Sequence, residues 1–87
     1  MNKDGIEVVR IGDSAFYFKL GALLKNNKIS KTKLCQDTGT DYKVITRYIN
    51  GDLARLDITI LERLAIYFDC EISDIVELKK NYYKKEA

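Results

Sequence analysis

Lys43 and Arg47 stand four residues apart in the segment Asp41-Tyr-Lys-Val-Ile-Thr-Arg-Tyr-Ile-Asn50. On a helix that spacing puts both cations on one face. A guanidinium carries a rigid fork of donors that matches two adjacent acceptors, such as O6 and N7 of guanine, while an ammonium reaches a guanine or a phosphate. Tyr42 adds a hydroxyl and an apolar ring, suited to a phosphate or a thymine methyl, and Asp41 a carboxylate able to accept from cytosine N4. Asp41, Tyr42, Lys43 and Arg47 are therefore the candidate base-reading set. Around them lie candidate phosphate contacts: Lys31 and Lys33 ahead of the segment, Thr46 on its outward face, and Asn50 and Arg55 at and after its end.

Other chemistry finds little to work with. The chain has no His, so the commonest general base is missing. Its acidic residues Glu62, Asp69, Glu71, Asp74 and Glu77 read as a solvated face rather than a catalytic pair, and an enzyme is not expected. The glycines at 5, 12, 21, 39 and 51 form neither a dinucleotide-binding nor a phosphate-binding loop, so no cofactor is expected. Cys35 and Cys70 lack any metal-ligand spacing, which argues against a metal site. They read as buried thiols in a reducing compartment, hence a cytoplasmic protein. Charges interrupt residues 1–24, and no apolar run reaches membrane-spanning length.

The elements that must position the cationic segment follow from punctuation and periodicity. Ser30 is a good N-cap for a helix over 31–38, and Gly39 suits the left-handed turn that ends it. Thr40 or Asp41 can cap the next helix, over about 41–50, in which Ile45, Tyr48 and Ile49 form the inward stripe and Asn50-Gly51 the stop. A helix over about 19–27 precedes this pair. After a loop over 52–57, Asp57 caps a fourth helix whose inner face is read as Ile58, Leu61, Leu64, Ala65 and Phe68. Ser73 is read as the cap of a short fifth carrying Ile75 and Val76.

The expected fold is all-α with five helices, to which a strand at Glu77-Leu78 beside Phe16–Phe18 would add a small two-stranded pairing. Residues 1–14 read as a short strand or a mobile arm, 15–78 as the folded domain, and 79–87 as an exposed basic tail. Eighty-seven residues suit one such domain, whose overall charge of +2 hides an uneven distribution. Residues 25–55 carry seven basic and three acidic side chains, whereas 56–78 carry one basic and six acidic. The positive half contains the cationic helix.

From Ser30-Lys-Thr-Lys-Leu34-Cys-Gln-Asp-Thr-Gly39 through Thr40 to Asn50-Gly51, and on through Arg55-Leu56-Asp57 to Ile75, the chain resembles the phage repressor and Cro type of helix-turn-helix, also called the XRE family. The resemblance covers about 18–78 and is closest to short members with a strand before the first helix. It implies a five-helix domain that binds a double-stranded operator, commonly as a homodimer on an inverted repeat, and regulates transcription, here most simply as a repressor. It gives Tyr42, Lys43 and Arg47 base-reading roles, and Lys31 and Asn50 phosphate roles. The chain departs from the pattern at Ile49 and in the loop Asp52-Leu53-Ala54-Arg55, where relatives often carry Glu and several basic residues. A second reading starts from Tyr82-Tyr83 among lysines and the acidic 56–78 half. It is a protein-interaction module on the same fold, such as an antitoxin-like or anti-regulatory partner. No small-molecule ligand and no membrane are expected on either reading.

Overall fold

Apolar alternation over residues 7–18 produces a hairpin. In the computed structural model, which describes residues 5–80, β1 (Glu7–Ile11) pairs antiparallel with β2 (Ser14–Phe18) across the Gly12-Asp13 turn. A third strand, β3 (Val76–Lys79), pairs with the other side of β2, with Phe16 opposite Leu78 and Phe18 opposite Val76. The expected contact of Glu77-Leu78 with Phe16–Phe18 is thus present, within a sheet of three strands rather than two. Strand periodicity puts Val9, Phe16, Phe18 and Val76 on one face, where Phe18 and Val76 enter the core.

Four α-helices follow β2: α1 (Leu20–Asn27), α2 (Lys31–Thr38), α3 (Tyr42–Asn50) and α4 (Ile58–Phe68). Three of them begin on the caps expected from sequence. Ser30 Oγ accepts from the Lys33 N–H at 3.1 Å, Asp41 Oδ1 from Lys43 at 2.8 Å and Asp57 Oδ1 from Thr59 at 2.9 Å. Each cap supplies an acceptor to a helix N–H that has no partner within the helix, worth about 1 kcal/mol. The opening of α1 has no side-chain cap. Instead the Lys19 N–H reaches the carbonyl of Ile75 at 2.7 Å, joining the start of the helical part to the strand that closes the sheet.

Two expectations are corrected. The domain is not all-α, and the fifth helix is a single 3-10 turn, Ile72–Asp74. Ser73 lies inside that turn, and its cap is Glu71, whose N–H is received by Asp74 Oδ2 at 3.0 Å. Ile75, still in the right-handed helical region, ends the turn and its carbonyl accepts the Lys19 N–H, while Val76 becomes extended opposite Phe18, a conformation that suits a β-branched residue. The inner face of α4 also differs from expectation: Ile58 is 80% exposed, and Ile60 joins Leu61 and Leu64 inside. Position 58 is the first helical residue, directly after the Asp57 cap, and it lies on the solvent side of the first turn.

Leu20, Leu34, Ile45, Leu64 and Ile75 are the largest fully buried side chains. They come from all four helices and from the residue before β3, and Phe18 and Val76 extend the same core onto the sheet. Truncating Leu34 or Ile45 to Ala is expected to cost about 2–5 kcal/mol through lost burial and a residual cavity. Among the described residues no helix is long and apolar enough to cross a membrane. Residues 1–4 of the N-terminal segment, and Tyr82-Tyr83 with most of the basic tail, lie outside the described residues.

Candidate nucleic-acid interface

The three residues Gly39, Thr40 and Asp41 separate α2 from α3. Gly39 adopts φ +67° and donates its N–H to Cys35, and Thr40 N–H reaches the same carbonyl at 3.1 Å. Thr40 is the buried polar residue of this turn. Its hydroxyl lies 2.9 Å from that of Thr38 and 3.5 Å from Arg63 Nη1 on α4. The turn angle between the two helices is therefore held both by backbone conformation and by a hydroxyl contact reaching α4.

α3 is strongly two-sided. Ile45 and Tyr48 are buried, Val44 and Ile49 pack at the margin of the core, and Tyr42, Lys43, Arg47 and Asn50 are exposed. Burial of one face fixes the rotation of the helix about its axis, and this is what aims Lys43 and Arg47 outward together. At its C-terminal end Gly51 takes φ +70°, and both Gly51 and Asp52 donate to the Arg47 carbonyl. A side chain at Gly51 would meet Val9 Cγ2 at 2.6 Å and Phe18 Cδ1 at 2.9 Å, so α3 ends pressed against the sheet. The Tyr48 hydroxyl, itself at the core, accepts the Asp57 N–H at 2.9 Å and ties the 52–57 loop back to α3.

The expected contact residues do not all lie together. Lys31 Nζ sits 4.9 Å from the centre of the Tyr42 ring, which brings the starts of α2 and α3 side by side. Lys33, two residues on, points away along α2 and pairs with Asp37 at 3.1 Å. Asp37 in turn accepts from the Tyr67 hydroxyl at 2.6 Å, linking α2 to α4. That hydrogen bond, with Lys33 beside it, holds the Asp37 carboxyl below its ordinary range, while the same bond raises the Tyr67 phenol. Asp41 spends one carboxylate oxygen on its cap, and Thr46 donates its hydroxyl to the Tyr42 carbonyl at 3.0 Å. Arg55 is exposed in the loop, beside the apolar recess formed by Val9, Ile11, Phe16 and Leu56.

Sequence reasoning missed the positioning roles of Thr40, Arg63 and the Tyr48 hydroxyl. A polar residue directly after the turn glycine was a signal for the first. The other two are contacts between distant residues that no local pattern carries.

Cys35 and Cys70 are free thiols, half-buried rather than buried. Desolvation raises both, reinforced at Cys35 by Asp41 and at Cys70 by Asp74, Glu71 and Asp69, so neither is poised as a thiolate nucleophile. Among the described residues no cluster of His, Cys, Asp and Glu is placed to hold a metal ion.

The family model described as the Cro/C1-type HTH DNA-binding domain matches residues 19–81, a span running from the residue before α1 past the end of β3. No curated protein and no solved structure matches the chain. With both helices of the turn inside the matched span, the chain belongs to the Cro/C1-type family of helix-turn-helix DNA-binding domains.

Proposed function

We propose that this chain is a sequence-specific transcriptional regulator, acting as a repressor that occupies a double-stranded operator, with α3 in the major groove. The observation that carries the reading is the outward pair Lys43 and Arg47 on a helix whose rotation is set by buried Ile45 and Tyr48. Arg47 reads guanine through its fork, Lys43 a guanine or a phosphate, and Tyr42 a thymine methyl or a phosphate. Asp41 keeps one oxygen for cytosine N4 beyond its cap. Lys31, Lys33, Asn50 and Arg55 hold the backbone, as does Thr46 once its hydroxyl turns from the Tyr42 carbonyl. The Lys33–Asp37 pair is exposed and weak enough to yield to a phosphate.

The family fold supports a homodimer on an inverted repeat, because two recognition helices must enter successive major grooves about 34 Å apart. The cytoplasm, where DNA and free thiols coexist, is the expected compartment.

The distinguishing experiment is a comparison of single substitutions on matched and mismatched duplexes over a salt series. Arg47→Ala is expected to cost about 1–3 kcal/mol and to relax preference at one base pair, while Lys31→Ala weakens all sequences alike and makes the salt slope shallower by about 0.9. Equal losses on every duplex for both would reject the assignment of roles. Absence of DNA binding at low salt would favour the protein-interaction reading.

A further inference from the structure

The 52–57 loop lies beside the sheet without sealing against it. Between them is an open recess of about 80 Å³, walled by Val9, Ile11, Phe16 and Phe18 of β1 and β2 and by loop residues 53–56. Every residue of this lining is apolar except Arg55. Ile11 is 58% exposed and Leu56 38%, so apolar surface at the recess stays in contact with solvent. The rings of Phe16 and Phe18 stand 6.3 Å apart at 42°, which gives the sheet side an aromatic wall.

Size and charge together define what fits. The recess has about half the volume of a cavity that holds a benzene ring, about 150 Å³. A ring therefore enters by one edge and leaves its substituent at the mouth. There it meets Arg55, which is exposed. The two ion pairs among the described residues, Lys19–Glu77 and Lys33–Asp37, leave out Arg55 and its acidic loop neighbours Asp52 and Asp57. Asp57 instead gives an oxygen to the Thr59 N–H. A guanidinium at the rim of an apolar recess matches a carboxylate, which it holds through two parallel hydrogen bonds, while aromatic walls favour an aromatic body.

We propose that this recess binds a small aromatic monocarboxylate, ring against Phe16 and Phe18 and carboxylate on Arg55, and that the bound acid weakens DNA binding by drawing Arg55 from phosphate. The regulatory half rests on the reading of α3 and its flanks as a DNA interface; the binding half does not. One guanidinium fork cannot hold both anions, so acid and phosphate compete for it. The recess also adjoins the recognition helix. Val9 and Phe18, two of its walls, are the side chains closest to Gly51 at the end of α3, and the Tyr48 hydroxyl holds the far end of the loop at Asp57. The coupling is reciprocal, so a duplex that engages Arg55 weakens the acid by the same factor.

Cinnamate is the probe, followed by NMR titration of the chain without DNA. Saturable shifts are expected at the methyls of Val9, Ile11 and Leu56, with a Kd of about 1 mM, as suits a ligand of so few atoms. Cinnamyl alcohol keeps the ring and lacks the charge, and is expected to bind about fivefold more weakly. Arg55→Gln should weaken cinnamate by that same factor and leave the alcohol unmoved. Ala54→Phe, at an exposed position in the lining, is expected to fill the recess and abolish binding of both. Thermal melts check that the variants fold, and the comparison of acid with alcohol needs no variant. The second measurement is binding to an arbitrary duplex at low salt, in cinnamate against acetate at equal concentration. Cinnamate at about ten times its Kd is expected to weaken duplex binding about fivefold in the natural chain and not in Arg55→Gln. Equal binding of acid and alcohol, cinnamate binding unaltered by a folded Ala54→Phe, or duplex binding that cinnamate does not shift would overturn the proposal. Cinnamate binding at these residues by a chain that binds no duplex supports the site and counts against the DNA reading alone.

Discussion

Lys31 Nζ rests 4.9 Å from the centre of the Tyr42 ring, so the first residue of α2 is stacked on the first residue of α3. Both side chains are candidate DNA contacts, and their mutual contact orders them before DNA arrives. A double-mutant cycle with Lys31→Ala and Tyr42→Ala is expected to give a coupling of about 0.5–1 kcal/mol in chemical denaturation, the range of an exposed cation–π contact. Additive losses would mean that the two residues act independently.

Tyr48→Phe keeps the ring in the core and removes the acceptor of the Asp57 N–H. Loss of that hydrogen bond is expected to cost about 1 kcal/mol. Hydrogen exchange supplies the sharper readout, because the Asp57 amide should exchange faster than in the natural chain while amides in the middle of α4 slow or quicken only with global stability.

The two turn glycines differ in what surrounds them. Gly39→Ala meets open space and carries only the left-handed backbone cost of about 1–2 kcal/mol. Gly51→Ala adds to that same cost a collision with Val9 and Phe18. Denaturation midpoints should therefore fall further for Gly51→Ala than for Gly39→Ala, and the reverse order would contradict the close packing of α3 on the sheet.

The Asp37–Tyr67 contact predicts a pH effect whose sign is fixed. The hydrogen bond from Tyr67, and then Lys33, depresses the Asp37 carboxyl from its ordinary value of 3.8. A group depressed on folding contributes stability above its unfolded pKa, and that contribution disappears as pH falls through the folded value. In Tyr67→Phe an NMR titration should find Asp37 moved back up toward 3.8. The stability difference between the two proteins should shrink as the solution is acidified below that range. An unchanged Asp37 titration would show that Tyr67 does not act on it in solution.

Much of the helical layout was legible because local chemistry and global packing agree there. Ser30, Asp41 and Asp57 cap the helices they precede, and Gly39 and Gly51 occur where the backbone turns left-handed. The stripe Ile45, Tyr48, Ile49 correctly left Lys43 and Arg47 outside. The sheet was only half legible, since β1 is short and its pairing with β2 depends on partners rather than on its own alternation. Ile75-Val76 was read as helix because Ser73 looked like a cap. The deciding contacts, Lys19 to Ile75 and Phe18 to Val76, join residues far apart in sequence. For the same reason the separation of Lys31 from Lys33, one toward Tyr42 and the other toward Asp37, was not visible in a run of alternating lysines.

The central claim is that α3 reads base sequence through Lys43 and Arg47. It is tested most directly by selecting bound duplexes from a randomised pool and sequencing them, at two salt concentrations, with the natural chain and with Lys43→Ala, Arg47→Ala. The account predicts enrichment of one inverted-repeat motif by the natural chain and its loss in the double variant, with residual salt-sensitive binding to any duplex. Enrichment of the same motif by both proteins would contradict it, and so would salt-sensitive binding by the natural chain without any enriched motif.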